Sequence, residues 1–252
     1  MTDGQKLLIL TPLKDAAHHV DAYFAGIARL SYPRNLISIA LLESDSEDDT
    51  PKVFREQLAE LDGILRRTGF WKQDFGFNIP RGVPRYAAPF QVRRRCTLAK
   101  ARNHLLFRAL DDEDWVLWLD ADVIEYPPNI IERLLACEKD VVQPHCVTEY
   151  GGTSFDLNAW RDHGSRHLDD LRAEGELARL DSVGGTMLLV RASLHRDGLV
   201  FPCFPYGIGN PKIRRNNHWL GEIETEGLGI MADDMGIECW GMPLLEIKHH
   251  PS

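Results

Sequence analysis

Apolar positions along the chain alternate between short unbroken runs and runs spaced three and four apart. KLLILTP, from Lys6, predicts a buried strand running into a turn, and Val20, Tyr23, Phe24, Ile27 and Leu30 then recur at helical spacing. LISIALLE, from Leu36, predicts a second strand. The acidic loop ESDSEDDT follows it, and Thr50 and Pro51 are placed as N-cap and first residue of the next helix. Residues 69 to 91, rich in Gly, Pro and aromatics, predict an irregular excursion. From Val92, Cys96, Ala99, Leu105, Leu106 and Ala109 share one helical face, and the helix leads into the apolar run WVLWL. PNIIERLLACE predicts a further helix, with Pro128 near its start. Beyond Asp140, DVVQPHCV, GGTSFDLNAW and VGGTMLLVR predict short strands, and residues 205 to 221 a loop. ETEGLGIMADDMG predicts a late helix and CWGMPLLEIKHH a closing strand. This order argues for a three-layer α/β domain with a mixed, mainly parallel central sheet.

Composition narrows the function classes. The 252 residues suffice for one large domain, and 44% hydrophobic with 27% charged residues is ordinary for a folded protein. A formal net charge of -9 disfavours binding to nucleic acid, which rests on clustered Lys and Arg. The five cysteines lack CxxC pairing and are expected to be reduced. No signal-peptide pattern and no apolar run of about 20 residues is visible, so a cytoplasmic protein, with peripheral membrane association left open, is expected.

The chemistry centres on WVLWLDADV. Asp120 and Asp122, one residue apart on an extended chain, point the same way, and their repulsion is relieved by a hard divalent cation such as Mg²⁺ or Mn²⁺. Open positions on such an ion are commonly filled by phosphate oxygens, which suits a diphosphate-bearing substrate. The bland alternative is one helix-capping and one solvated aspartate. Strand ends are where ligands bind in open α/β sheets, which makes Thr11 and Pro12 after the first strand and Ser44 and Asp45 after the second candidates for a nucleotide pocket. Glu47, Asp48 and Asp49 fit a solvated acidic turn equally well.

The blocks LAKARNHLL, WVLWLDADV, PPNIIERLL, FDLNAW, VGGTMLLVRASLHR, ETEGLGIMA and WGMPLLEIKH, in this order, resemble the fungal Golgi α-mannosyltransferase family that builds mannan backbones. The resemblance covers Leu7 to His249. It implies a single GT-A-like, Rossmann-type α/β/α glycosyltransferase domain over 1–252, with residues 1–125 as nucleotide half and 126–252 as acceptor half. It also implies GDP-mannose as donor, Mn²⁺ (or Mg²⁺) at Asp120, Asp122 and His249 rather than His250, and transfer with retention to a glycan or glycoconjugate acceptor. Asp120, Ala121 and Asp122 would face the donor. Family members carry an N-terminal anchor and stem, whereas this sequence starts near its first strand; a soluble relative is the simpler expectation, with homo-oligomerisation left open.

Further residues are candidates on their own chemistry. Arg102, and Asn103 beside it, match the family's ARN segment, and a guanidinium there could offset diphosphate charge. Arg93, Arg94 and Arg95 could do likewise, although at least two of them are expected to be solvated. Gly184 and Gly185 would let an acceptor sugar approach the backbone, or form a bulge. Asp156, Glu224 and Glu226 could hold or deprotonate acceptor hydroxyls, Glu226 being equally a helix-start residue. Trp160 is the candidate stacking platform. Two other readings stay open: a haloacid-dehalogenase-type phosphohydrolase with Asp120 as nucleophile, and a non-catalytic sugar-binding relative.

Overall fold

The computed structural model describes residues 4–80, 82–84, 87–209 and 221–251. Strand β1 (Leu7–Leu13) is followed by helix α1 (Val20–Ala28), β2 (Ile37–Glu43), α2 (Thr50–Ala59) and β3 (Arg67–Lys72). Helix α3 (Ala88–Ala109) leads to β4 (Trp115–Leu119), β5 (Val123–Glu125), α4 (Ile130–Leu135) and β6 (Val141–Val147). Then come β7 (Ala178–Leu180), β8 (Met187–Arg191), α5 (Ala192–Arg196), α6 (Glu224–Asp234) and β9 (Cys239–His249). One sheet joins them in the order β3-β2-β1-β4-β8-β6-β9-β5, with β7 also on β9. Strands β1 to β4 pair in parallel, whereas β8 runs antiparallel to β4 and β6, and β5 and β7 antiparallel to β9. The mixed, mainly parallel three-layer expectation therefore holds.

Period-two alternation divides the core into two layers. Leu7, Ile9, Leu117 and Leu119 face α1, α2 and α4, while Leu8, Leu10, Val116 and Trp118 face α3 and α6. Both faces are covered, which is why these strands read as continuous apolar runs.

Three local expectations change. Residues 67–72, partly inside the segment read as irregular, form edge strand β3 beside β2. Its residues are half-exposed and carry no apolar run, and Gly69 is needed because a Cβ there would lie 2.4 Å from the Trp71 ring. GGTSFDLNAW forms turns with isolated bridges instead of a strand: Asp156 Oδ1 accepts the Asn158 N–H at 3.2 Å, Ser154 bridges to Val147 and Trp160 to Ser182. Thr50 is the first residue of α2 and not its cap; its hydroxyl accepts the Ala16 N–H at 2.7 Å, while Asp48 accepts the Thr50 N–H at 2.9 Å. The loop expected over 205–221 falls largely outside the described residues.

Candidate active site

The strand order places a topological switch between β1 and β4: the chain leaves β1 toward β2 and β3, then returns through α3 to β4 on the other side. Loops beyond the carboxyl ends of these strands diverge there and leave a crevice. Two adjoining cavities occupy it. One, of about 510 Å³, is lined by Ser44, Glu47, Phe77, Asn78, Ile79 and Val83, among others. The other, of about 440 Å³, is lined by His18, His19, Asp120, Ala121, Asp122, His249 and His250. Pro12, Lys14, Asp15, Arg94 and Leu98 belong to both walls, so the two form one cleft with two cations and one carboxylate at the waist. The Lys14 ammonium donates to the Asp45 carbonyl and to Asn78 Oδ1, which ties the first loop to the segment after β3.

Register brings the distant C-terminal residues to Asp122. Strand β5 runs antiparallel to β9 with Val123 opposite His249, and the His250 N–H donates to the Asp122 carbonyl at 2.8 Å. His249, 2% exposed, stands with Nε2 at 3.0 Å from Asp122 Oδ2, and Phe155 stacks on its ring at 3.7 Å. Its Nδ1 lies 2.6 Å from the His250 carbonyl, an acceptor only, so Nδ1 carries a proton. With that tautomer set, the Nε2 and carboxylate lone pairs face each other, and only a proton or a cation makes the contact favourable. Adjacent ligands on a cation with bonds of roughly 2.1 Å are also about 3 Å apart. The orienting hydrogen bond on the far ring nitrogen is the usual support of a metal-ligating histidine. The pair thus fits as two corners of a ligand set.

Asp120 is placed differently. Its Oδ1 receives Arg102 Nη2 at 2.9 Å, and among the described residues no group of three or more His, Cys, Asp or Glu side chains is placed to hold a metal ion. A cation held by Asp122 and His249 would draw its other ligands from substrate oxygens and water. Burial pushes Asp120 up to about 7 against the pull of Arg102, with Asp122 adding to the rise. Burial and His18 push His19 down to about 4, so its imidazole is neutral near pH 7.

Burial disfavours the charged His249 ring, but the Asp122 hydrogen bond and charge outweigh it and raise the pKa. Without metal, the stability from this pair is full below about 6.5 and lost as pH rises through the raised value. Metal affinity runs the other way, because the ion needs Nε2 deprotonated. Mn²⁺ affinity is expected to fall about tenfold per pH unit below the raised pKa, as checked by calorimetric titration between about pH 5 and 8.

The remaining candidates mostly form a buried polar frame behind the cleft. Arg102, 1% exposed, donates from Nε to Glu224 Oε1 at 2.8 Å and lies under Asp120, so its guanidinium does not line the cleft. Glu226 is paired with Arg95 at 2.6 Å and accepts the Trp160 indole N–H at 2.6 Å. Trp160 is fully buried and offers no face for stacking a sugar. Asp156 Oδ2 accepts the N–H groups of Gly185 and Thr186 at 2.9 and 3.2 Å. That explains the glycine pair: a Cβ on Gly184 would lie 2.0 Å from Asp156 Oδ2, and one on Gly185 2.6 Å from Arg102 Nη2. It is these side chains, and not a ligand, that approach the backbone. Asn103 exchanges two hydrogen bonds with the Phe201 backbone, at 2.7 and 2.9 Å. Thr11 is buried and bonds Tyr23 and the Leu119 carbonyl. Asp45 accepts the N–H groups of Phe75 and Gly76, both at 2.9 Å, and so shapes the cavity wall without lining it. Of the nucleotide-pocket candidates, Pro12 and Ser44 line the cleft.

A model of the family described as Anp1 matches residues 1–173 and 161–205. The chain belongs to the Anp1 family. The mannan polymerase complex subunit mnn9 of Schizosaccharomyces pombe is 31% identical, covering 98% of this chain and 80% of its own length. The mannan polymerase II complex anp1 subunit of the same yeast is 29% identical, covering 97% and 64%. The ANP1 subunit of that complex in Saccharomyces cerevisiae is 28% identical, covering 98% and 55%, so this Anp1-family chain spans little more than half of some relatives. Among solved structures, GalNAc-T7 with UDP, GalNAc and Mn²⁺ superposes with TM-score 0.65 at 14% identity, covering 100% of this chain and 45% of that one. The mannosyltransferase PcManGT from Pyrobaculum calidifontis, in complex with GDP-Man and Mn²⁺, gives 0.56 at 18%, covering 97% and 56%. The fold is that of GT-A glycosyltransferases.

Sequence reading missed Lys14, His18, His19, Asn78 and the adjoining Phe77 as cleft residues of this Anp1-family chain. For Lys14 and the histidines a signal existed: they follow β1 directly, at the same carboxyl edge as Pro12. Phe77 and Asn78 carried none, since nothing in their segment has a period.

Proposed function

We propose that this chain is a metal-dependent glycosyltransferase that moves mannose from GDP-mannose, with retention, to a carbohydrate or glycoconjugate acceptor. The observation that carries the reading is the Asp122–His249 pair in a cleft whose other lobe has apolar walls and polar edges suited to a nucleoside. The names of the yeast relatives and the GDP-Man and Mn²⁺ of the archaeal neighbour support the sugar, the nucleotide and the metal.

In this mechanism Phe77, Ile79 and Val83 enclose the base, with Ser44 and Asn78 offering it hydrogen bonds. Lys14 and Arg94 meet the diphosphate at the waist, and the sugar lies in the lobe of Asp120 and Asp122. Asp122 and His249 would hold Mn²⁺ or Mg²⁺, whose chemistry is to neutralise charge on the departing diphosphate. For retention we favour same-face attack by the acceptor hydroxyl, because Asp156, Glu224 and Glu226 are engaged by backbone N–H groups, Arg102 and Arg95. Residues 1–125 are the donor half except for the contribution of His249, and 126–252 the acceptor half; Gly184, Gly185 and Trp160 are no part of our acceptor site.

Calorimetry with GDP, UDP and GDP-mannose, with and without Mn²⁺, followed by a donor-hydrolysis assay, tests the reading. Mn²⁺-dependent binding of GDP, tighter than UDP, is expected. No nucleotide binding with Mn²⁺ present overturns it, and binding without any hydrolysis or transfer points to a non-catalytic sugar-binding protein.

A further inference from the structure

The second cavity, which holds the Asp122–His249 pair, is also lined by imidazoles that the mechanism above does not use. His18 and His19 form the 3-10 turn after β1, Ala17–His19, and His250 follows β9. The His18 and His19 ring centroids are 3.8 Å apart, His19 and His250 5.0 Å, and His18 and His250 6.1 Å. All three line the cavity. His19 is the telling member: it is only 9% exposed, yet its side chain makes ring contacts and no hydrogen bond among the described residues. Its ring nitrogens have no hydrogen-bond partner among the described residues and are not sealed from solvent, so they are open to a group bound in the cavity.

The surroundings define that partner. A neutral imidazole offers one donor and one acceptor. The carboxylates on the same cavity, Asp15, Asp120 and Asp122, accept hydrogen bonds and repel anions. At the waist shared with the first cavity, two cations, Lys14 and Arg94, stand against one carboxylate, Asp15, which is 3.6 Å from Lys14. An anionic group is therefore favoured at the waist, and an uncharged group whose hydroxyls both donate and accept is favoured in the pocket between imidazoles and carboxylates. We infer that His19, flanked by His18 and His250, binds a hydroxyl of the hexosyl group of a nucleotide-sugar donor and so makes the protein distinguish nucleotide sugar from nucleotide. This rests on the proposed function for its donor class, and it adds a sugar-recognition residue that lies outside the Asp-x-Asp segment.

The test compares wild type, His19→Phe and His19→Gln, each checked for an unchanged melting temperature, by titration with GDP and with GDP-mannose in the presence of Mn²⁺. His19→Phe keeps the ring packing and removes the hydrogen-bonding nitrogens; His19→Gln keeps a donor and an acceptor. GDP affinity is expected to be equal in all three. GDP-mannose affinity should fall about tenfold in His19→Phe, the loss of one hydrogen bond, and be largely kept in His19→Gln. If His19→Phe binds GDP-mannose as tightly as wild type, or loses both ligands equally, the assignment is overturned while the proposed function stands. Wild type binding neither ligand overturns the proposed function itself and the assignment with it.

Discussion

Replacing Arg102 by methionine is expected to destabilise the protein by about 3–5 kcal/mol in urea unfolding, although Arg102 touches neither cavity. Its guanidinium lies against the rings of Trp118 and Phe201, at 5.5 and 5.4 Å, and bonds Glu224, Asp120 and the Gly185 carbonyl. Methionine fills much of the space but leaves the carboxylate of Glu224, 3% exposed, with no guanidinium to offset its charge. Glu224 also holds a left-handed backbone at φ 60°, a strained conformation for a residue with a side chain, so the start of α6 depends on this contact. Lysine should not rescue, since one ammonium cannot span both carboxylates with the planar fork of arginine. The double variant Arg102→Met with Glu224→Gln should recover a large part of the loss, because it removes the stranded charge. A loss below about 1 kcal/mol in Arg102→Met would show that the frame does not depend on this ion pair.

Asp122→Ala should leave the fold intact and abolish the dependence of nucleotide binding on Mn²⁺. The side chain is 18% exposed and lines the cleft, with the His249 ring at 3.0 Å. Turnover of a nucleotide-sugar donor is expected to fall by about 10²–10³-fold or more, the scale seen when one group stabilising transition-state charge is lost. Weak, metal-independent nucleotide binding should survive, because Phe77, Asn78, Lys14 and Arg94 are untouched. Full Mn²⁺ dependence retained in Asp122→Ala would place the ion elsewhere.

These two aspartate and arginine positions show what could and could not be read from the residues. Neighbours on α3 illustrate the difficulty. Arg94, Leu98 and Ala101 line the cleft, whereas Arg95 and Arg102, seven residues apart and one step round the helix, face the buried glutamates. Of the three consecutive arginines only Arg93 is exposed, against the expectation that two would be. A rotation of α3 by one residue, about 100°, would put Arg95 where Arg94 stands and Arg94 where Arg93 stands, and its apolar pattern is too sparse to exclude that.

By itself the sequence determined the alternation of strands and helices, the burial of WVLWL, and the emergence of Asp120 and Asp122 at a strand end. Those follow from local periodicity, because a strand buried on both faces reads as a short unbroken apolar run. The blocks in fixed order determined the family. Only the tertiary structure decided which polar groups face the cleft and which hold the frame: Asp122 turns to His249, Asp120 to Arg102, and Asp156, Glu224, Glu226 and Trp160 inward. The reason is that a carboxylate has the same sequence signature whether its partner is a substrate or a buried arginine. What separates the two cases is pairing across the sheet, such as Val123 opposite His249, between residues more than a hundred positions apart.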